Sequence, residues 1–192
     1  MNNNDLFEKA PISKAYFKLA LPVVLSMVIS LVYNMVDTFF VAQTQNTNLV
    51  AGVSLCAPIF TLMIALGDIF GIGGSSVISR LFGQKQDEEG KNASGFCFYG
   101  AIVCGILVSL IMMIARKPIL TILGTNQATL PYASQYYTYM ALGATLIIVS
   151  LTPSNLMRTE GLATESMIGT ITGSIINMIL DPIFILYLNM EA

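Results

Sequence analysis

Five long runs of apolar residues constrain the fold of this chain more than any other feature of its sequence. Each has about 20 residues or more, the length that a helix needs to cross the hydrocarbon core of a bilayer. The runs cover residues 19–42, 49–79, 93–115, 132–157 and 166–188. Charged residues make up only 10% of the chain, whereas a soluble domain has about 25%. The sequence therefore predicts an all-α membrane protein with five transmembrane helices.

The distribution of Lys and Arg predicts the orientation, because cytoplasmic loops are enriched in both. With the N-terminus in the cytoplasm, the cytoplasmic segments contain Lys9, Lys14, Lys18, Arg80, Lys85, Lys91 and Arg158, and the outer segments contain Arg116 and Lys117. We therefore expect a multi-pass protein of the plasma membrane with a cytoplasmic tail at residues 1–18. Five spans followed by a short tail at 189–192 are expected of part of a larger protein.

Several classes of protein do not fit this sequence. There is no histidine, and all three cysteines lie within apolar runs, which fits packing better than disulfides or a metal site. The net charge of −2 indicates no nucleic-acid partner. The glycine-rich stretch 71–76 has no preceding strand and no phosphate-loop lysine. We expect a protein that is not an enzyme and has no cofactor.

Polar side chains form a stripe along the first and the fifth runs. At about 100° per residue, each stripe covers an arc of roughly 60–80° on a helical wheel. The first consists of Ser26, Ser30, Tyr33, Asp37 and Thr44, and the second of Ser166, Thr170, Ser174, Asn177 and Asp181. An ionisable group inside a membrane indicates a functional site by default. Each stripe therefore predicts a functional helix face ending in an aspartate.

The two aspartates are also predicted to share a depth. Asp37 lies about 7–8 Å and Asp181 about 10 Å from the outer end of its run, at 1.5 Å per residue. Two carboxylates with the amide of Asn177 and nearby hydroxyls suit a hard cation such as Na⁺. A proton fits equally well, since low-polarity surroundings favour a neutral carboxyl group. Local capping is the alternative, particularly for Asp181, which precedes a proline.

Other intramembrane features have less specific interpretations. Asp68 falls in the inner half of its run, where local pairing and an inward-facing vestibule are equally favoured. The motifs Gly67-x-x-x-Gly71 and Gly169-x-x-x-Gly173 are typical of close helix packing. Four residues of the fourth run fit either a hydrophobic substrate cavity or plain packing at an interface: Tyr136, Tyr137, Tyr139 and Met140.

Four motifs, in order along the chain, resemble the multidrug and toxic compound extrusion family over nearly its whole length. The first is Leu21-Pro22 with Tyr-Asn-x-x-Asp-Thr at residues 33–38, and the second is Gly-Gly-Ser-Ser-x-x-Ser-Arg-x-x-Gly at 73–83. The third is Arg158-x-x-Gly161, and the fourth is Asn-x-x-x-Asp-Pro at 177–182. The resemblance implies twelve helices in two six-helix bundles, of which this chain would form five helices of the first, without the second bundle.

The resemblance also implies roles for individual residues. The family's first-bundle cation site, for Na⁺ or H⁺, maps onto Asp37, Asn177 and Asp181. Tyr33, Asn34 and Ser174 match cavity or supporting positions, and Pro22 matches a proline at which the first helix is thought to bend. Asp68 matches no motif position and receives no role.

The function implied is an antiporter that exports organic, often cationic compounds by alternating access, with the substrate and membrane lipid as partners. A related flippase for lipid-linked precursors is the first alternative. Such proteins usually line the cavity with Arg and Lys, whereas no cationic residue lies deep in any run. An intramembrane aspartyl protease is the remote alternative. Its Tyr-Asp and Gly-x-Gly-Asp motifs do not match Tyr33-x-x-x-Asp37 or Ala65-Leu66-Gly67-Asp68.

Overall fold

The computed structural model describes residues 11–43 and 46–182, without the side chains of 14, 40–43, 181 and 182. The described residues form six helices and no strand. The helices are α1 (Ile12–Gln43), α2 (Thr47–Gly83), α3 (Asp87–Ile114), α4 (Arg116–Ile122), α5 (Leu130–Thr159) and α6 (Ala163–Pro182). The predicted all-α class is confirmed.

Four of these helices contain segments that are long and apolar enough to cross a membrane. These segments are Ala15–Phe39, Thr47–Gly83, Asp87–Ile114 and Leu130–Thr159. The fifth predicted span, 166–188, lies only partly within the described residues, where it belongs to α6. Helix α1 begins at Ile12, so residues 12–18 of the predicted tail are already helical. The tail at 189–192 lies outside the described residues.

Local chemistry accounts for the helix ends. The Asn46 side chain caps α2 by accepting a hydrogen bond from the Leu49 amide at 3.2 Å. The turn between α2 and α3 is shorter than the loop expected at 84–91. It ends at Gln86, and Lys85 adopts a positive φ of 60°. Helix α3 then begins with Asp87, Glu88 and Glu89, three carboxylates that favour the positive end of the helix dipole.

Helices α2, α3 and α5 form a closely packed group, in which glycines bring the backbones together. A Cβ placed on Gly67 would lie 2.9 Å from the Ile148 carbonyl oxygen, and one on Gly105 would lie 2.8 Å from the Thr145 Cα. Gly67-x-x-x-Gly71 therefore packs against α5, as expected. A Cβ on Gly169 or Gly173 would meet no described atom within 4 Å, so their predicted packing role finds no described partner.

Tyr137 is fully buried between α3 and α5, and its hydroxyl donates a hydrogen bond to the Met112 carbonyl at 2.8 Å. Tyr137→Phe removes this bond and leaves a buried carbonyl without that donor. We expect a loss of about 1–2 kcal/mol in unfolding free energy, measured by chemical unfolding of the full-length protein in detergent. Tyr139→Phe is the matched control, because Tyr139 is 63% exposed. Equal stability of the two variants would contradict this assignment.

Helix α1 packs mainly against α6, and α6 in turn contacts α5. In the most apolar 18-residue stretch of α1, only 11% of the residues are buried. Exposed apolar side chains of α1 include Phe17, Leu21, Met27, Leu31 and Met35. The described part of the bundle therefore consists of the closely packed group α2, α3 and α5 and the pair α1 and α6.

Candidate functional site

The polar stripe of α1 lies on the better-covered side of the helix. Ser26 is 2% exposed, and Ser30, Tyr33 and Asp37 are partly buried. Neighbouring Met35, by contrast, is 73% exposed. The stripe therefore lies on the side of α1 that is more covered by the bundle, while Thr44 lies outside the described residues.

The serines of this stripe direct their hydrogen bonds along the helix itself. Ser26 Oγ donates to the Val23 carbonyl at 2.8 Å, and Ser30 Oγ donates to the Ser26 carbonyl at 2.9 Å. Since each hydroxyl is satisfied locally, it can remain buried without a partner on another helix. Asp37 differs, because the described residues offer its carboxylate no hydrogen bond and no ion pair. Within the described part of the chain, its carboxylate oxygens therefore accept no hydrogen bond.

On α6 the stripe divides into a buried part and an exposed part. Ser166 is 4% and Ser174 8% exposed, and Thr170 is partly buried. Asn177 is exposed in the described structure. Asp181 lies in the last turn of α6, and its side chain is outside the description.

Ser166, at the start of the α6 stripe, joins α5 to α6. Its hydroxyl lies 2.9 Å from the Ser154 hydroxyl and accepts a hydrogen bond from Arg158 Nε at 3.2 Å. Gly161 between the two helices has a φ of 79°, a conformation that favours glycine. The Arg158-x-x-Gly161 motif therefore has a structural explanation: it shapes and fastens the turn between α5 and α6.

Tyr136 of α5 is the residue that the structure adds to the surroundings of Asp37. The Asp37 carboxylate and the Tyr136 phenol lie within electrostatic range of each other, and Cys56 of α2 is also within range of the phenol. Asp37 therefore faces the boundary between the α1–α6 pair and the α2–α3–α5 group. The sequence identified Tyr136 only as one of several residues that fit either a cavity or packing.

The other intramembrane residues have different surroundings. Tyr137 and Met140 belong to the buried core, and Tyr139 is exposed. Asp68 is partly buried on α2 and has no hydrogen-bond or salt-bridge partner among residues 11–43 and 46–182. Asn34 is exposed, and its carbonyl accepts a 2.7 Å hydrogen bond from Thr38. Pro22 lies inside α1, where a proline removes one backbone hydrogen bond and weakens the helix.

The described side chains form no group of three or more His, Cys, Asp and Glu that could hold a metal ion. The expected cation site would contain only two carboxylates, and one of them belongs to Asp181. What the described residues provide is one carboxylate at a boundary between helices, with a phenol in range. This arrangement suits reversible binding of a small cation better than a rigid metal centre.

Known proteins give an independent comparison with this helical bundle. The MatE family model matches residues 22–183. The multidrug export protein MepA of Staphylococcus aureus (strain NCTC 8325 / PS 47) is 34% identical over 179 residues, covering 93% of this chain. MepA of Staphylococcus saprophyticus is 32% identical over the same length. The chain spans about two-fifths, 40%, of the length of these relatives.

Solved structures agree with the sequence comparison. An outward-facing multidrug resistance MATE family transporter of the MOP superfamily has a TM-score of 0.92 with 27% identity. It matches 100% of this chain, which covers 42% of that protein. A structure described as MATE in the bent conformation has a TM-score of 0.89 at the same identity and coverage.

Together, the membrane-length helices and the carboxylate within the bundle define a polytopic helical membrane protein. The family match identifies it further: the chain belongs to the MatE family. Members of this family are transporters, so the chain is not an enzyme. The resemblance drawn from the four sequence motifs is confirmed.

Proposed function

We propose that this chain belongs to the first bundle of a cation-coupled antiporter that exports organic, often cationic compounds from the cell. Asp37, Asn177 and Asp181 bind the coupling ion, Na⁺ or H⁺. The observation that carries the proposal is the position of Asp37, which is partly buried at the boundary between two helix groups and has no described partner. The related MepA proteins are multidrug export proteins, which supports the same class of substrate.

The proposed mechanism is alternating access. An ion bound at Asp37 and Asp181 neutralises their charge and reshapes α1, which weakens the binding of an organic cation in the outward-facing cavity. Rocking of the bundles then returns the site to the cytoplasmic side with the ion bound and without the organic substrate. Pro22 fits a bending point, because it interrupts the hydrogen bonds of α1 one-third of the way along the helix. Similarity to MATE structures in straight and bent conformations supports this part of the proposal.

A lipid-linked precursor flippase is the second candidate. One similar structure, a MOP superfamily transporter from Pyrococcus furiosus Vc1, has a binding pocket of reversed polarity that suggests a different function for that protein. In the present chain, Arg116 begins α4 and Arg158 lies in the last turn of α5. Both are near helix ends rather than deep in a span, which favours an exporter of cations over a flippase for phosphates.

Transport in proteoliposomes tests the proposed function. The full-length protein is reconstituted, and movement of a fluorescent organic cation is followed with an imposed Na⁺ gradient and, separately, a pH gradient. We expect one of the two gradients to drive transport of the organic cation against its own concentration gradient. An ionophore that collapses the driving gradient should abolish this transport. Transport unaffected by either gradient would contradict cation coupling. Movement of a lipid-linked anion in place of the organic cation would favour the flippase.

A further inference from the structure

The connecting segments at the end of the bundle where α1 terminates carry two adjacent cations and no acidic residue. Arg116 and Lys117 open α4, and neither connecting segment at this end, 42–48 or 115–131, contains Asp or Glu. The Asn46 side chain donates to the Tyr132 hydroxyl at 2.9 Å, which shows that both segments lie at the same end. The connecting segments at this end are therefore electropositive and suit an anionic ligand.

Arg116 lines an open groove of about 420 Å³ between α4 and α5. The other lining residues are Pro131, Ser134, Gln135, Thr138 and Tyr139. The groove thus combines one guanidinium with the Ser134 hydroxyl and the Gln135 amide, whose donors can bind phosphate oxygens. The Thr138 hydroxyl donates instead to the Ser134 carbonyl at 2.7 Å.

Hydrogen bonds hold the Arg116 guanidinium in place and leave some of its N–H donors without a described partner. Arg116 Nη2 donates to the Ser134 carbonyl at 3.1 Å and also to the Ser134 hydroxyl. A guanidinium has five N–H donors, and those on Nη1 and Nε have no partner among the described residues. The fixed orientation lowers the entropy cost of binding an anion, because the long side chain is already ordered.

An exposed stripe on α5 continues from the groove toward the centre of the membrane. Gln135, Tyr139, Leu142 and Leu146 follow the spacing of one helix face. The last three are 63%, 61% and 75% exposed. The stripe is polar beside Arg116 and becomes purely apolar about 10 Å further along, at 1.5 Å per residue. A free anion needs no such gradient, whereas a lipid has the same order of headgroup, interface and acyl chain.

From this arrangement we infer that the groove between α4 and α5 binds an anionic phospholipid of the membrane leaflet on this side. The phosphodiester lies against Arg116 with the Ser134 hydroxyl nearby. The Tyr139 ring lies at the level of the glycerol, and an acyl chain follows Leu142 and Leu146. This lipid site is separate from the proposed ion site at Asp37 and does not depend on the compound transported.

Lipid binding to the full-length protein in detergent tests the inference, with native mass spectrometry as the readout. The probes are dioleoylphosphatidylglycerol and, for comparison, dioleoylphosphatidylcholine. We expect the first to be retained in preference to the second. Arg116→Gln should weaken phosphatidylglycerol binding by roughly fivefold to tenfold, since a single basic residue near a membrane surface makes a contribution of that size. The control Lys91→Gln removes an exposed cation beside Glu88 at the opposite end and should leave binding unchanged.

Two results would overturn the inference. One is phosphatidylglycerol binding to Arg116→Gln that equals binding to the unchanged protein. The other is displacement of the lipid by millimolar inorganic phosphate, which would assign the groove to a free anion. Should Arg116→Gln fail to fold, Gln135→Glu decides the matter, because it places a negative charge in the groove and keeps the Arg116–Ser134 bonds. Unweakened binding by Gln135→Glu would then refute the lipid site.

Discussion

Asp37→Asn in the full-length protein is expected to abolish ion-driven efflux while the protein is still made and inserted. An amide has nearly the same shape as a carboxyl group, so packing of α1 against α6 should be preserved. It has no charge to neutralise and cannot take up a proton, so it removes the proposed coupling step. The rate of gradient-driven transport in proteoliposomes should fall at least tenfold, an effect of about 1.4 kcal/mol or more on the barrier.

The matched control is Asp87→Asn, the same substitution at an exposed position in the first turn of α3. Loss of the Asp87 charge from the helix N-terminus costs only about 0.3–1 kcal/mol in stability, and transport should continue. Efflux by Asp37→Asn at the unchanged rate, with equal protein in the membrane, would remove Asp37 from the mechanism. Loss of efflux by both variants would indicate a general defect instead.

Gly67→Ala is expected to destabilise the bundle by adding a single methyl group. The new Cβ would lie 2.9 Å from the Ile148 carbonyl oxygen, so α2 and α5 would have to separate. Overpacking of this kind costs about 1–3 kcal/mol, and no flexible side-chain end can absorb that backbone contact. Thermal unfolding of the full-length protein in detergent would measure the change.

Gly73→Ala is the control, because it adds the same methyl to the same helix where no described atom lies within 4 Å. Alanine favours helix over glycine by about 0.5–1 kcal/mol, so this variant should be as stable as the unchanged protein or slightly more so. An equally stable Gly67→Ala would show that the two helices do not pack at the described distance.

Most of the fold could be predicted from the sequence, because bilayer length and apolar composition almost dictate membrane helices. The ends of the helices were harder to place. Helix α1 begins at Ile12 and α3 at Asp87, beyond the apolar runs, because polar residues outside the bilayer can continue a helix. The short helix α4 in the segment 116–122 has no transmembrane signal of its own and was not predicted.

The candidate site was predictable only along single helices. Helical spacing identified the stripe containing Asp37, and α1 does turn that stripe toward its better-covered side. Spacing cannot show which residue of another helix lies within electrostatic range, and Tyr136 became apparent only from the three-dimensional structure. The proposed roles of Asn177 and Asp181 remain predictions, since Asn177 is exposed in the described structure and the Asp181 side chain lies outside it.

The division of the bundle into a pair and a closely packed group has a consequence for how an ion could act. Asp37 belongs to the pair, whereas Tyr136 belongs to the group. The two groups are joined through contacts of α6 with α5, including the Arg158–Ser166 hydrogen bond. A change in charge at Asp37 would thus act between the two groups of helices rather than within the closely packed one.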